Sequence, residues 1–128
     1  MTGKVPEQFD DVSVICKANV YYEGKVISHN VIFKDGRKKR LGVMCPGVYK
    51  FRTDDLERMD ITYGICRVRQ AGEGQWVTYE AGTTFMVPGW SYFEMAVDKG
   101  VLEYISSFDT HLNKKTYLST EYPSVDRS

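Results

Sequence analysis

Between Asn19 and Phe108 the chain is written in short runs where apolar and polar residues alternate, the period of a strand with one buried face. Val48-Tyr49-Lys50-Phe51-Arg52-Thr53 alternates cleanly, and Met59 to Val68 does so through Met59, Ile61 and Tyr63. Further strands are expected at Asn19–Val26, read as one strand closed by a glycine turn, and at Ile27–Phe33, Leu41–Cys45, Trp76–Tyr79, Thr83–Val87, Ser91–Val97 and Val101–Phe108. Lys34-Asp35-Gly36-Arg37 supplies a hairpin turn, where glycine takes a positive φ at little cost. Pro46-Gly47, Ala71-Gly72-Glu73-Gly74, Glu80-Ala81-Gly82 and Pro88-Gly89 break the remaining runs. Short strands joined by Gly and Pro turns predict an all-β sandwich or barrel. No amphipathic helix precedes residue 109.

The flanks are patterned more weakly. Val12-Ser13-Val14-Ile15 reads as a short strand or as an arm on a partner subunit, and residues 109–128 are rich in Ser, Thr, Lys and Tyr. The formal charge is +0, from 17 basic and 17 acidic residues, so no global field draws the protein to nucleic acid or to an anionic membrane. Arg37-Lys38-Lys39-Arg40 is the one dense basic run, and after a hairpin turn it reads as a solvated loop. Cys16, Cys45 and Cys66 are odd in number and form no C-x-x-C pair, which fits reduced thiols better than a disulfide framework or a thiolate zinc site. The N-terminus lacks the plan of a signal peptide and no apolar run is long enough to span a bilayer, so a cytoplasmic protein is expected.

Gly82-Thr83-Thr84-Phe85-Met86-Val87-Pro88-Gly89 has the shape of the second cupin motif, and Glu57 stands seven residues before Gly64, as the first cupin motif ends. Tyr22-Glu23-Gly24-Lys25-Val26, Gly42-Val43-Met44 with Pro46-Gly47-Val48-Tyr49-Lys50-Phe51, Glu57-Arg58-Met59, Tyr79-Glu80-Ala81 ahead of the second motif, and Ser91-Tyr92-Phe93 occur in order around these fragments. Together they resemble the small single-domain pyrimidine/purine nucleoside phosphorylases. That resemblance implies a single-domain cupin (RmlC-like jelly-roll) β-barrel over residues 19–108, with an N-terminal extension over 1–18 and a C-terminal extension over 109–128. It also implies a homodimer, and cleavage of nucleosides by inorganic phosphate to free base and ribose 1-phosphate. The partners are then nucleosides and phosphate, with phosphate as co-substrate and no cofactor. Family members often carry His where this chain has Trp90 and Glu94, which bears on activity and substrate range.

A metal cupin needs two His and a Glu from its first motif and a His from its second. Here those regions offer Lys50, Arg52 and Glu57, then Trp90, Phe93 and Glu94, while His29 and His111 lie elsewhere. No metal is therefore expected, and a cation beside Lys50 and Arg52 would be repelled. Phosphorolysis asks for a cationic grip on phosphate, a carboxyl for the ribose or for the departing base, and an aromatic face for the base. Lys50 and Arg52 are candidates for the first, Glu57 and Glu94 for the catalytic carboxyl with Glu80 as a further choice, and Tyr49, Phe51, Trp90 and Phe93 for stacking.

Each has a plainer reading. A barrel can take in Tyr49 and Phe51 or Lys50 and Arg52, and the aromatic pair is the expected choice. Glu57 and Glu80 can be solvated. Trp90 can be core, subunit interface or pocket lid. Tyr63 and Tyr104 are expected to pack. His29 and His111 suit surface or hydrogen-bonded roles. A non-catalytic small-molecule-binding cupin is the alternative function, and a metal cupin oxygenase or isomerase is a third.

Overall fold

The computed structural model describes residues 5–108. Eleven strands occupy them: β1 (Ser13–Val14), β2 (Asn19–Tyr21), β3 (Val26–Ile32), β4 (Lys38–Met44), β5 (Gly47–Thr53), β6 (Glu57–Tyr63), β7 (Ile65–Gln70), β8 (Val77–Glu80), β9 (Thr84–Val87), β10 (Ser91–Val97) and β11 (Leu102–Phe108). They form a seven-stranded sheet in the order β1-β3-β4-β11-β6-β9, with β2 also paired to β3, and a four-stranded sheet in the order β5-β10-β7-β8. The strand pairings among the described residues are antiparallel. No helix among the described residues is long and apolar enough to cross a membrane.

The alternation seen in the sequence builds the core. Met44, Met59, Ile61, Phe85 and Val87 of the larger sheet face Tyr49, Cys66, Val68, Phe93 and Met95 of the smaller one, all buried. Burying one such side chain stabilises the fold by about 1.5–3 kcal/mol. On β5 the aromatics point in and the cations out: Tyr49 is 3% exposed, while Lys50 and Arg52 lie in water. Close packing also explains Gly42. A Cβ there would stand 2.3 Å from the Tyr104 ring, so only glycine lets Tyr104 lie along β4. Gly36 has φ +92° and closes the hairpin with Gly36 N–H donating to Phe33 O at 2.9 Å.

The structure corrects three sequence expectations and decides between two readings of a fourth segment. Asn19–Val26 is not one strand: β2 ends at Tyr21, and Tyr22–Gly24 make a 3-10 turn in which Tyr22 (φ +50°) and Glu23 (φ +56°) are left-handed. The Tyr22 hydroxyl holds this turn, donating to Lys50 O at 2.7 Å and accepting from Lys50 N–H at 2.9 Å. Lys38, Lys39 and Arg40 are no solvated loop, because the turn is complete by Arg37 and β4 starts at once. Tyr63 is 58% exposed, because the β6–β11 register shifts between Glu103 and Tyr104 and leaves Tyr63 opposite the exposed Glu103. Between the two readings of Val12–Ile15, Ser13 and Val14 pair with Ile32 and Val31 of the chain's own β3. The C-terminal extension and His111 lie outside the described residues.

Candidate functional site

The inner face of the larger sheet is apolar at one end and polar at the other. Register explains the polar end: Ser28 stands opposite Gly42, Asn30 opposite Arg40, Arg40 opposite Ser106, and Ser106 opposite Met59. Asn19 Nδ2 donates to Ser28 Oγ and to Asn30 Oδ1, both at 3.1 Å. Ser106 Oγ donates to Glu57 Oε2 at 2.6 Å. Burial disfavours the ionised Glu57 and pushes its carboxyl above the ordinary value; the Ser106 bond and the Arg40 charge oppose this and are outweighed.

Arg40 completes the cluster. Its guanidinium sits 5.2 Å from the centre of the Phe108 ring. Its Nε is buried and has no hydrogen-bond partner, the one buried side-chain nitrogen or oxygen in that state among the described residues. Arg40 takes part in none of the four ion pairs found among those residues. Tyr104 lies beside it, its phenol driven far up by burial and by the nearby Glu57.

The smaller sheet supplies the opposite wall. Phe51 and Phe93 lie with ring centres 5.6 Å apart, and Phe93 is edge-on to Phe85 at 6.2 Å. Between polar floor and aromatic wall is a cavity of about 40 Å³, lined by Ser28, Arg40, Glu57, Ser106, Phe51 and Phe93 among others. That is room for a few waters and far less than the ~300 Å³ of the smallest usual ligand pockets. A larger open groove of about 780 Å³ lies on the outer face of the larger sheet, against residues 5–14. Its lining is mainly apolar, with Val14, Leu41, Val43 and Ile105; Glu7, Glu103 and Thr62 border it, but no Lys, Arg or His does.

The structure thus brings Glu57, Phe51 and Phe93 together, with Tyr49 packed against Phe51 at 6.5 Å between ring centres. It does not bring Lys50 or Glu94 to them. Glu94 is on the outer face of β10, where Arg69 donates to Glu94 Oε1 at 2.9 Å from both Nε and Nη2. Lys50 lies beside it with its ammonium 4.4 Å from the centre of the Tyr92 ring. Arg52 is exposed on β5 and is also among the residues that line the cavity. Trp90 is 81% exposed in the β9–β10 turn at φ +53°, so it is not core. That turn stands at the polar end, tied there by Thr53 Oγ1 donating to Pro88 O at 2.7 Å. Glu80 is exposed, and His29 Nδ1 lies 3.1 Å from Ile15 O. Sequence reasoning missed Arg40, Ser28, Ser106 and Tyr104. The signal was available for Arg40, which shares strand parity with Gly42 and Met44.

Comparison with known proteins gives the family and the fold. Residues 16–108 match the family described as pyrimidine/purine nucleoside phosphorylase. A protein of that name from Paraburkholderia xenovorans is 48% identical over 101 residues, 79% of this chain and 94% of the relative. A solved structure from Acinetobacter sp. ADP1, titled a protein of unknown function, is 45% identical at TM-score 0.77, covering 80% of this chain and 98% of its own. The cupin domain of Schizosaccharomyces pombe Cnp3 superposes at TM-score 0.54 with 15% identity, over 84% of this chain and 79% of that one, and shows the fold alone. The chain has a cupin jelly-roll fold and belongs to the pyrimidine/purine nucleoside phosphorylase family.

Proposed function

We propose, from membership of the pyrimidine/purine nucleoside phosphorylase family, that this protein cleaves nucleosides with inorganic phosphate inside the barrel, at Glu57. The observation that carries the reading is a buried carboxyl held toward its neutral form beside an aromatic wall. As the bond between C1′ and the base breaks, positive charge grows on the sugar and negative charge on the base. A neutral Glu57 gives its proton to the departing base while a phosphate oxygen bonds to C1′. The proton carried by the attacking phosphate then returns to the Glu57 carboxylate, so ribose 1-phosphate and free base leave and the site is restored. Such proton transfer contributes about 10²–10⁴-fold to rate.

Phe51 and Phe93 offer the base an apolar face, and Ser106 orients the Glu57 carboxyl by bonding its other oxygen. The cavity holds no nucleoside as it stands. Entry needs movement at the polar end, where Trp90 stands exposed in a strained turn. Glu94 acts outside the reaction in this reading, because Arg69 holds it on the far face of β10. No resident metal is required, and the Arg40 charge inside the barrel disfavours a cation there. Homodimerisation and cytoplasmic residence belong to the same proposal; sedimentation and fractionation check them.

The test is incubation of chelator-treated protein with purine and pyrimidine nucleosides, with and without phosphate, following free base by chromatography. Base release that requires phosphate and yields ribose 1-phosphate is expected. Folded protein that turns over none of them refutes the reading in favour of a binding module.

A further inference from the structure

The basic run Arg37–Arg40 meets four different fates. Arg37 bonds Asp35 through Nε at 2.8 Å, and Lys38 is exposed. Lys39 points to the outer face, where its Nζ donates to Ser107 Oγ at 2.9 Å and lies 5.8 Å from the Phe9 and Phe33 ring centres. Lys38 and Arg40 share strand parity, but Lys38 is exposed at the start of β4 and only Arg40 lines the cavity.

Inside, Arg40 is an anomaly of stability: the residue is only partly buried, yet its Nε–H is cut off from water and has no partner, a desolvation cost that no hydrogen bond returns. Nearly every buried polar side-chain atom around it is satisfied. The Ser106–Glu57 bond is made, and burial drives Glu57 toward its neutral form, so the nearest carboxyl is a poor counter-ion. The guanidinium is held against the Phe108 ring rather than left to swing. The free volume beside it is about 40 Å³, and Ser28 and Ser106 carry hydroxyls on the same wall.

We infer that the cavity at Arg40 is an oxyanion site, and that its occupant is the inorganic phosphate consumed in the proposed reaction. A tetrahedral oxyanion is small enough for the cavity, accepts the orphan Nε–H, neutralises the guanidinium and takes a further hydrogen bond from the Ser28 hydroxyl, whose hydrogen is free because its oxygen accepts from Asn19. Arginine suits oxyanions because its planar fork donates in parallel. The identity of the occupant rests on the phosphorolysis reading; the existence of the site does not.

The experiment is calorimetric titration and thermal unfolding of the full chain with inorganic phosphate, and separately with sulfate, for wild type, Arg40→Met, Arg40→Lys and the outer-face control Arg67→Met. Phosphate should bind and stabilise wild type and Arg67→Met alike. Arg40→Met should weaken binding by about tenfold or more, and without phosphate it should unfold no earlier than wild type, because it removes a buried N–H that has no partner. Arg40→Lys should fall between, and it carries the test if the methionine variant does not fold.

Equal phosphate affinity in wild type and both Arg40 variants would overturn the inference, as would folded wild type that binds neither anion. Tighter sulfate than phosphate binding would keep the site and reject phosphate as its occupant. Phosphate-dependent base release with an unchanged phosphate KM in Arg40→Lys would sink this inference alone. Phosphate bound through Arg40 with no turnover of any nucleoside would sink the phosphorylase reading alone.

Discussion

Two clusters in this barrel use the same kinds of side chain. On the outer face of the smaller sheet, Arg69 and Glu94 bond at 2.9 Å, Lys50 lies over Tyr92, and Trp76 carries Arg69 at 4.7 Å and Arg67 at 5.1 Å. Inside, Arg40, Glu57 and Ser106 stand before Phe51 and Phe93. Outside, every carboxylate in the cluster is matched by a cation and both are half in water, where screening makes a pair worth about 0–1 kcal/mol. Inside, the acid is driven toward its neutral form and the cation lacks a protein partner for Nε. Composition alone does not separate the two clusters. Desolvation does, because it leaves the inner groups with unspent interactions, and those are what a ligand or a reacting proton can use.

The comparison is broken most severely along β10, where neighbouring rings face opposite ways. Phe93 is 2% exposed and Tyr92 is 40% exposed. Phe93→Ala should cost about 3–5 kcal/mol, and Tyr92→Ala about 0.5–1 kcal/mol through its contact with Lys50, both read by denaturant unfolding. Similar costs at the two positions would mean that the inner face is not the packed one.

The carboxyls come next. Glu57→Gln should slow phosphate-dependent base release by about 100-fold or more, while Glu94→Gln should stay within about twofold. A larger loss at Glu94 would move the chemistry to the outer face. Glu57 also predicts a pH signature. Its folded pKa lies above the ordinary 4.5 because burial penalises the charge. Its contribution to stability is therefore complete below 4.5 and is lost as pH rises through the raised value. Thermal unfolding from about pH 4 to about pH 8 should show a decline in wild type that Glu57→Gln flattens; parallel profiles would show that Glu57 ionises freely in the folded state.

The smallest effect tests the outer cluster. A double-mutant cycle on Arg69 and Glu94 should give a coupling below about 1 kcal/mol that shrinks as salt is added. A salt-independent coupling of several kcal/mol would mean that something covers that face.

How much was legible is clearest on β4 and β5. On β5, Tyr49-Lys50-Phe51-Arg52 pairs two aromatics with two cations, so hydrophobicity alone chose the inner face. On β4, Arg37-Lys38-Lys39-Arg40 offers no such contrast, and the cluster read as a loop although its last member belongs to the interior. Glu57 was found through its place in a motif, and its burial followed only once β11 laid Ser106 over it. Glu94 was chosen for its type, and Arg69, 25 residues away in the chain, holds it outside.

By itself the sequence determined the strand period, the turns, the aromatic core and the family, because these rest on local alternation, on backbone geometry at Gly and Pro, and on ordered motifs. Only the tertiary structure decided which polar residues are desolvated together. A strand assigns its side chains to two faces, but which face is interior, and which charges meet there, depends on strands brought from distant parts of the chain. That is why the strand of Arg40 could be marked by Gly42 and Met44 on its inner side, yet its lack of a partner became visible only when β3, β6 and β11 stood around it.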